Sequence, residues 1–398
     1  MPVILPADLL RPIVAHVTSG TDLCSLAMVC RTLREEAQRA LFENAVVTVV
    51  LSDTKHQTHV PFLDAIIDSP DHLALMVRKF TIRICILRRF SMSERRAEDP
   101  SFRMATKEMV AGWLAQMGSR TKSALQIMHN LTHLRLEYYR PGDVLGNYKP
   151  LWFTSLLEAC SFQLKVLVWN TEPISTNLQE LIQGGFAAQT GITVLRLDCY
   201  LPDNGDPQLY THLSTLLPAL RTISAPWNII RLILECGRVI PNVQIHGLTY
   251  SPQPLTAGLR DALRGVTSLW CNTPFRWVDF EIADLPNIIS LQVGTIFEED
   301  YAAIVALQKL KLLILPVEQR ASTDSDISAL MAQHLLCHSA SLSEIYVEDY
   351  IRGKQLYECH TSSSEEGQVQ TRVADCVPDI WRRQAGLEFV DMVLPFFD

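Results

Sequence analysis

Apolar residues recur in a six-residue phrase along most of the chain, at its first, fourth and usually sixth positions. The phrase opens at Val77, Leu131, Leu164, Ile192, Leu220, Ile240, Val266, Ile288, Leu310 and Leu342. It reads VRKFTI, LTHLRL, LKVLVW, ITVLRL, LRTISA, IPNVQI, VTSLWC, IISLQV, LKLLIL and LSEIYV. Alternation over the last four positions predicts a short strand, with the fourth and sixth side chains on one face and the third and fifth on the other. Apart from an insertion of roughly 20 to 30 residues before Leu131, the openings lie about 20 to 33 residues apart, which marks stacked supersecondary repeats. One unit alone could not bury its apolar face; stacking closes a continuous core.

Between the phrases, apolar residues fall at helical spacing. WFTSLLEACS, NLQELIQGGFAAQ and TAGLRDALRG predict return helices, and Gly184, Gly185 and Gly265 fit their C-termini. Ser101 to His129 predicts an inserted helical pair, and Ala45 to Val50 (AVVTVV) one more strand. The class is therefore α/β. A doubly wound or barrel enzyme also alternates strands and helices. Here the strands are short and half-alternating, and none is followed by GxGxxG, GxxxxGK[ST] or GxSxG.

The first 44 residues follow another pattern. Leu9, Leu10, Ile13, Val14 and Val17 line one face of a helix, with Pro6 suited to its first turn and Pro12 predicting a kink or a late start. Ser19 to Asp22 breaks the chain and offers caps. Leu23, Leu26, Ala27 and Cys30 then stripe a second helix, and Leu33, Ala37, Ala40 and Leu41 a third. Three such short helices cannot bury that much apolar surface among themselves, so the surplus needs a partner.

The order Leu5-Pro6, Leu9-Leu10, Ile13, Asp22-Leu23, Leu26, Val29-Cys30-Arg31, Leu33, Ala37 and Leu41-Phe42 resembles an F-box. The repeats resemble the irregular leucine-rich repeats that follow F-boxes. Together these resemblances imply a three-helix F-box at residues 1–44 and a curved leucine-rich-repeat solenoid with a parallel concave sheet at 45–356. The inserted helical segment would occupy about 91–129, and a flexible loop and C-terminal cap 357–398. They imply docking on the Skp-family adaptor of a cullin–RING (SCF-type) ubiquitin ligase through Leu5, Pro6, Leu9, Ile13, Leu23, Leu26, Val29 and Cys30. The chain would then be a substrate-recognition subunit whose repeat arc holds a protein target. A leucine-rich-repeat scaffold that binds independently of ubiquitin ligation is the alternative.

Strand residues between the inward leucines would face that target. They include Arg135, Glu137, Arg196, Asp198, Gln244, Trp270, Gln292, Tyr346 and Glu348. Arg135, Arg196, Asp198, Trp270, Gln292 and Tyr346 are the binding candidates, with Trp270 and Tyr346 as exposed aromatic anchors. Glu358 to Gln368 (ECHTSSSEEGQ) has too little apolar content to offset its ordering entropy and predicts a mobile loop, ahead of a docked end with Trp381 and Phe389.

Composition narrows the classes. A hydrophobic share of 48% is globular, and a net charge of −8 lacks the basic footprint of a nucleic-acid binder. No stretch of about 20 apolar residues predicts a membrane span. Ten cysteines without a CxxC pair argue against zinc or redox motifs. Most are flanked by apolar residues and read as small buried hydrophobes, reduced in a cytoplasmic or nuclear protein. HLLCH (His334 to His338) sets two histidines one helical turn apart, but without a recognisable third ligand it reads as a surface helix. Asn130-Leu-Thr matches a glycosylation acceptor that opens onto a core strand, and reads as inert. The expectation is no catalytic constellation, no metal and no cofactor.

Overall fold

The computed structural model describes residues 7–50, 60–85, 107–139, 156–157, 159–170, 185–198, 215, 217–246, 255–274, 280–295, 298–316, 334–349, 355–361 and 369–374. The chain divides into two compact units, 1–192 and 193–398.

The first unit opens with α1 (Ala7–Ala15), α2 (Gly20–Ala27) and α3 (Arg31–Glu43). Ser19 caps α2, its hydroxyl oxygen accepting the Asp22 N–H at 3.3 Å. The late start expected at Pro12 does not occur: α1 runs through it. Pro12 is exposed, where water can serve the carbonyl left without its helical donor. Val14, Leu23 and Ala37 form the core of the trio, with Leu26, Leu33 and Leu41 packed around them.

Helix α3 runs directly into β1 (Asn44–Val50). After it come α4 (Val60–Asp68), α5 (Leu73–Met76), β2 (Lys79–Cys85), α6 (Lys107–Ile127), β3 (His133–Tyr139) and β4 (Val166–Asn170). Phe42 of α3 stacks on Phe62 of α4 at 5.4 Å, and Phe62 on Phe80 of β2 at 6.3 Å, tying the trio to the first strands. Where a helical pair is expected, α6 is one helix of 21 residues, with 101–106 outside the described residues. Gly118 costs it about 1 kcal/mol relative to alanine. Burial of Leu114, Met117 and Leu125 on one face outweighs that cost. Strands β1 to β4 pair in order, all parallel.

The second unit holds β5 (Val194–Leu197), β6 (Thr222–Ala225), α7 (Trp227–Glu235), β7 (Asn242–Ile245), α8 (Ala257–Leu263) and β8 (Ser268–Pro274). It continues with β9 (Ser290–Thr295), α9 (Glu298–Val305), β10 (Leu312–Pro316), β11 (Glu344–Asp349), β12 (Gln355–Thr361) and β13 (Val369–Ala374). Strands β5 to β11 pair in order and in parallel. Then β12 and β13 add antiparallel.

Every one of the ten phrases opens two residues before an observed strand, and its first residue is buried in all ten. The fourth residues meet across the ladder, Phe80 with Leu134 and Leu134 with Leu167 in one unit, Leu269 with Leu291 and Leu291 with Leu313 in the other. Polar residues just ahead of the strands repeat a device as well. Thr132, Thr267 and Ser343, each one residue before its strand, donate to the carbonyls of Arg78, Pro241 and Lys311, at the same place in the preceding repeat. Asn130 and Asn287, three before theirs, donate amide hydrogens to the carbonyls of Leu75 and Arg264, both at 2.7 Å. The spacing therefore yields an α/β fold of leucine-rich-repeat type, one parallel strand per repeat.

Two sequence expectations give way here. Glu358 to Thr361 belong to β12 rather than to a loop, because pairing with β11 satisfies backbone groups whatever the side chains; residues 362–368, Trp381 and Phe389 lie outside the described residues. Of the described cysteines, Cys160 and Cys271 are buried, but Cys24, Cys30, Cys236 and Cys337 are exposed. Apolar neighbours in sequence mark the buried face of a helix, and these four sit on its other side or at its ends.

Candidate functional site

Two surfaces carry the residues singled out from sequence. The first lies on the helical trio. Leu9 and Ile13 of α1 are 51% and 54% exposed, and Met28 and Val29, in the turn after α2, 79% and 66%. Cys30, the N-cap of α3, is exposed too. Leu23 is instead covered by the trio itself, and Leu26 packs partly against that core, so these two hold the helices together. Leu5 and Pro6 lie outside the described residues. Sequence reasoning missed Met28, whose place next to Val29 and off the α2 stripe was the available signal. Arg11 of α1 ion-pairs with Glu36 of α3 at 3.2 Å, and Arg39 holds the same carboxylate, fixing α1 beside α3.

The second surface is the strand face opposite the leucine core. In the second unit, register aligns Arg196, Ser224, Gln244, Trp270, Gln292, Ile314 and Tyr346 in one row across seven strands. The binding candidates Arg196, Trp270, Gln292 and Tyr346 thus share a row. Their expected exposure is not found. Tyr346 is 2% exposed, packed with Ile314 and partly buried Leu312; Gln292 is buried and Trp270 half-buried. Tyr346 is therefore not an exposed anchor, because its neighbour in register is an isoleucine that covers it.

At the β5 end the row becomes a polar network. Arg196 Nε donates to Asp198 Oδ2 at 2.9 Å, and His246 Nε2 lies against Asp198 Oδ1. His246 Nδ1 lies 3.3 Å from Ser224 Oγ, which donates to Gln244 Oε1 at 2.7 Å. Burial raises the pKa of Asp198, but the hydrogen bond and charge of His246 and those of Arg196 outweigh it and hold the carboxyl below the usual range. Three strands thus bring a serine, a histidine and an aspartate together. Ser224 is fully buried and gives its hydrogen to Gln244, so the set orders polar groups between strands and presents no nucleophile. Ser224 and His246 were not singled out from sequence; alternation past Gln244 was the signal that could have found His246.

In the first unit the same face carries Arg135, which is also buried against expectation. Arg135 ion-pairs with Glu137, and Arg83 Nε donates to Glu137 Oε2 at 2.7 Å, a buried Arg–Glu–Arg group. Two residues before Arg135 on the same strand, the His133 imidazole is pushed down to about 4 by burial, then Lys79, then Lys165. Burial pushes the Cys160 thiol up to about 11, against the pull of Lys122, which leaves it unreactive at neutral pH. Among the described residues no group of three His, Cys, Asp or Glu gathers as a metal site, and no helix is long and apolar enough to cross a membrane.

No family model matches the chain, and no curated protein matches it. Among solved structures it is similar to the leucine-rich repeat-containing protein LegL7 from Legionella pneumophila. Identity is 13% and the TM-score 0.33, over 80% of this chain and 94% of that one. The likeness is distant, and the repeat assignment rests on the strand register described above.

Proposed function

We propose that the chain is a substrate-recognition subunit of an SCF-type ubiquitin ligase, its N-terminal trio an F-box that docks on a Skp-family adaptor and its repeats the holder of a protein target. The observation that carries this reading is the apolar set Leu9, Ile13, Met28 and Val29, which the trio's own core leaves exposed. Burying such a side chain is worth about 1.5–3 kcal/mol, before association costs are subtracted. The F-box resemblance falls on Leu9, Ile13 and Val29 in particular. Target contact belongs to the less covered members of the strand face, Arg196, Asp198 and Trp270, while the buried Gln292 and Tyr346 pack in the same row.

The test is co-purification with a Skp-family adaptor. The wild-type chain is expected to retain the adaptor, and Ile13→Asp with Val29→Asp to lose it, because uncompensated charge enters an apolar contact. Both residues are exposed, so the variant keeps its fold, checked by an unchanged melting temperature. Failure of the wild type to bind, where an authentic F-box chain does, sinks the ligase reading and leaves a repeat scaffold that works without it.

A further inference from the structure

The helical turn at 334–338 carries the sequence His-Leu-Leu-Cys-His. Leu335 and Leu336 are buried, whereas His334, Cys337 and His338 are exposed, so the turn seats itself by its leucines and leaves both imidazoles accessible, that of His334 with its centroid 5.9 Å from the Tyr301 ring. The rings stack at 4.3 Å between centroids and 25° between planes. His338 Nδ1 lies 2.8 Å from the His334 carbonyl oxygen. A carbonyl can only accept, so Nδ1 carries the hydrogen and donates it, and the lone pair of the neutral ring is placed on Nε2. A donor bond from one ring nitrogen to a backbone carbonyl is the support that orients metal-ligating histidines.

We infer that His334 and His338 form a bis-imidazole site for a late divalent transition metal. Both rings project from one side of a single turn and are stacked nearly parallel. Turning the exposed His334 ring about its side-chain bonds brings a nitrogen of each onto one ion, and the second imidazole then binds at high effective concentration. Nitrogen donors select Cu²⁺, Ni²⁺ and Zn²⁺ over Mg²⁺ or Ca²⁺, with Cu²⁺ held most tightly of these. With two protein ligands the site is open, its remaining positions taken by water, unlike a closed four-ligand structural centre. The site departs from the sequence reading, which expected a bare surface helix, and stands independently of the ligase proposal.

The experiment titrates NiCl₂, and separately ZnCl₂, into the chelator-stripped full-length chain by calorimetry. One equivalent is expected to bind. His334→Asn and His338→Asn each weaken it at least about tenfold through loss of the chelate, and the double variant loses it. Because the imidazoles are solvent-facing, far-UV circular dichroism of the variants should overlay the wild type. In the wild type, paramagnetic Ni²⁺ should broaden the ring signals of these two histidines before those of the others, a reading that needs no variant. Binding of the equivalent by the double variant at wild-type affinity overturns the site, as does broadening that begins at other histidines.

Discussion

At the scale of single residues, the polar groups inside the sheet are where stability is most exposed to change. Glu137 is 1% exposed and pairs with both Arg83 and Arg135. Removing it takes the shared carboxylate away from two guanidinium groups, one fully and one largely buried. Glu137→Ala is therefore expected to cost about 3–5 kcal/mol in urea unfolding. The triple change Arg83→Met, Arg135→Met and Glu137→Leu is expected to recover most of that, since an apolar set of similar volume leaves no charge unpaired. A triple variant as weak as Glu137→Ala would show that the ion group itself stabilises the fold. Gln189 offers a neutral counterpart. Its side chain is fully buried, accepts the Leu164 N–H at 2.8 Å and donates to the Phe162 carbonyl at 3.1 Å. Gln189→Ala orphans both backbone groups and should cost about 2–4 kcal/mol by the same measurement; a loss under about 1 kcal/mol would mean that water replaces the amide.

At the scale of elements, the close packing of successive returns can be tested at Gly265, just past α8. A Cβ there would stand 2.1 Å from Val239 Cγ1 and 3.2 Å from both Val239 Cβ and the Ala262 carbonyl oxygen. Val239 is 55% exposed and can turn its methyl away, but its Cβ stays tight. Gly265→Ala should then cost about 1–3 kcal/mol as overpacking. Val239→Gly in the same chain removes that Cβ as well and should restore part of the loss; if the two losses simply add, the contact is not the cause. The elements were legible from sequence to different degrees, for physical reasons. Strands β2 to β11 were readable because two inward positions, four and six, repeat in every unit and a strand's period leaves no other register. Arg196, Trp270, Gln292 and Tyr346 were correctly placed on one face for the same reason. Their burial was not readable, since alternation gives the face of Tyr346 but not that Ile314 comes to lie beside it from a strand 32 residues earlier in register. The hairpin β12–β13 escaped because its pairing is made by backbone groups, which composition does not report. The exposed Leu9, Ile13 and Val29 were anticipated, because three short helices have more apolar surface than core.

At the scale of the whole molecule, the two units should lose stability at different acidities. His133 lies in the first unit, and its folded value of about 4 stands below the ordinary 6.5. As pH falls, the unfolded chain takes up this proton before the folded one does. The contribution is therefore complete above 6.5 and drains away between 6.5 and about 4. Asp198 lies in the second unit with a folded value below 3.8. There too the folded state resists the proton, so its contribution is complete above 3.8 and is lost only as pH falls further, through the lowered value. Hydrogen exchange corrected for its intrinsic pH dependence can follow each unit by its own strands. Amides of β2 and β3 should lose protection between pH 6.5 and 4, while those of β6 and β7 hold until below 3.8. His133→Gln removes the titrating group and should flatten the first unit's slope across that window, leaving the second unit's acid limit where it was. If His133→Gln leaves the slope of β2 and β3 unchanged, the cost of charging His133 beside Lys79 and Lys165 is not what weakens the first unit.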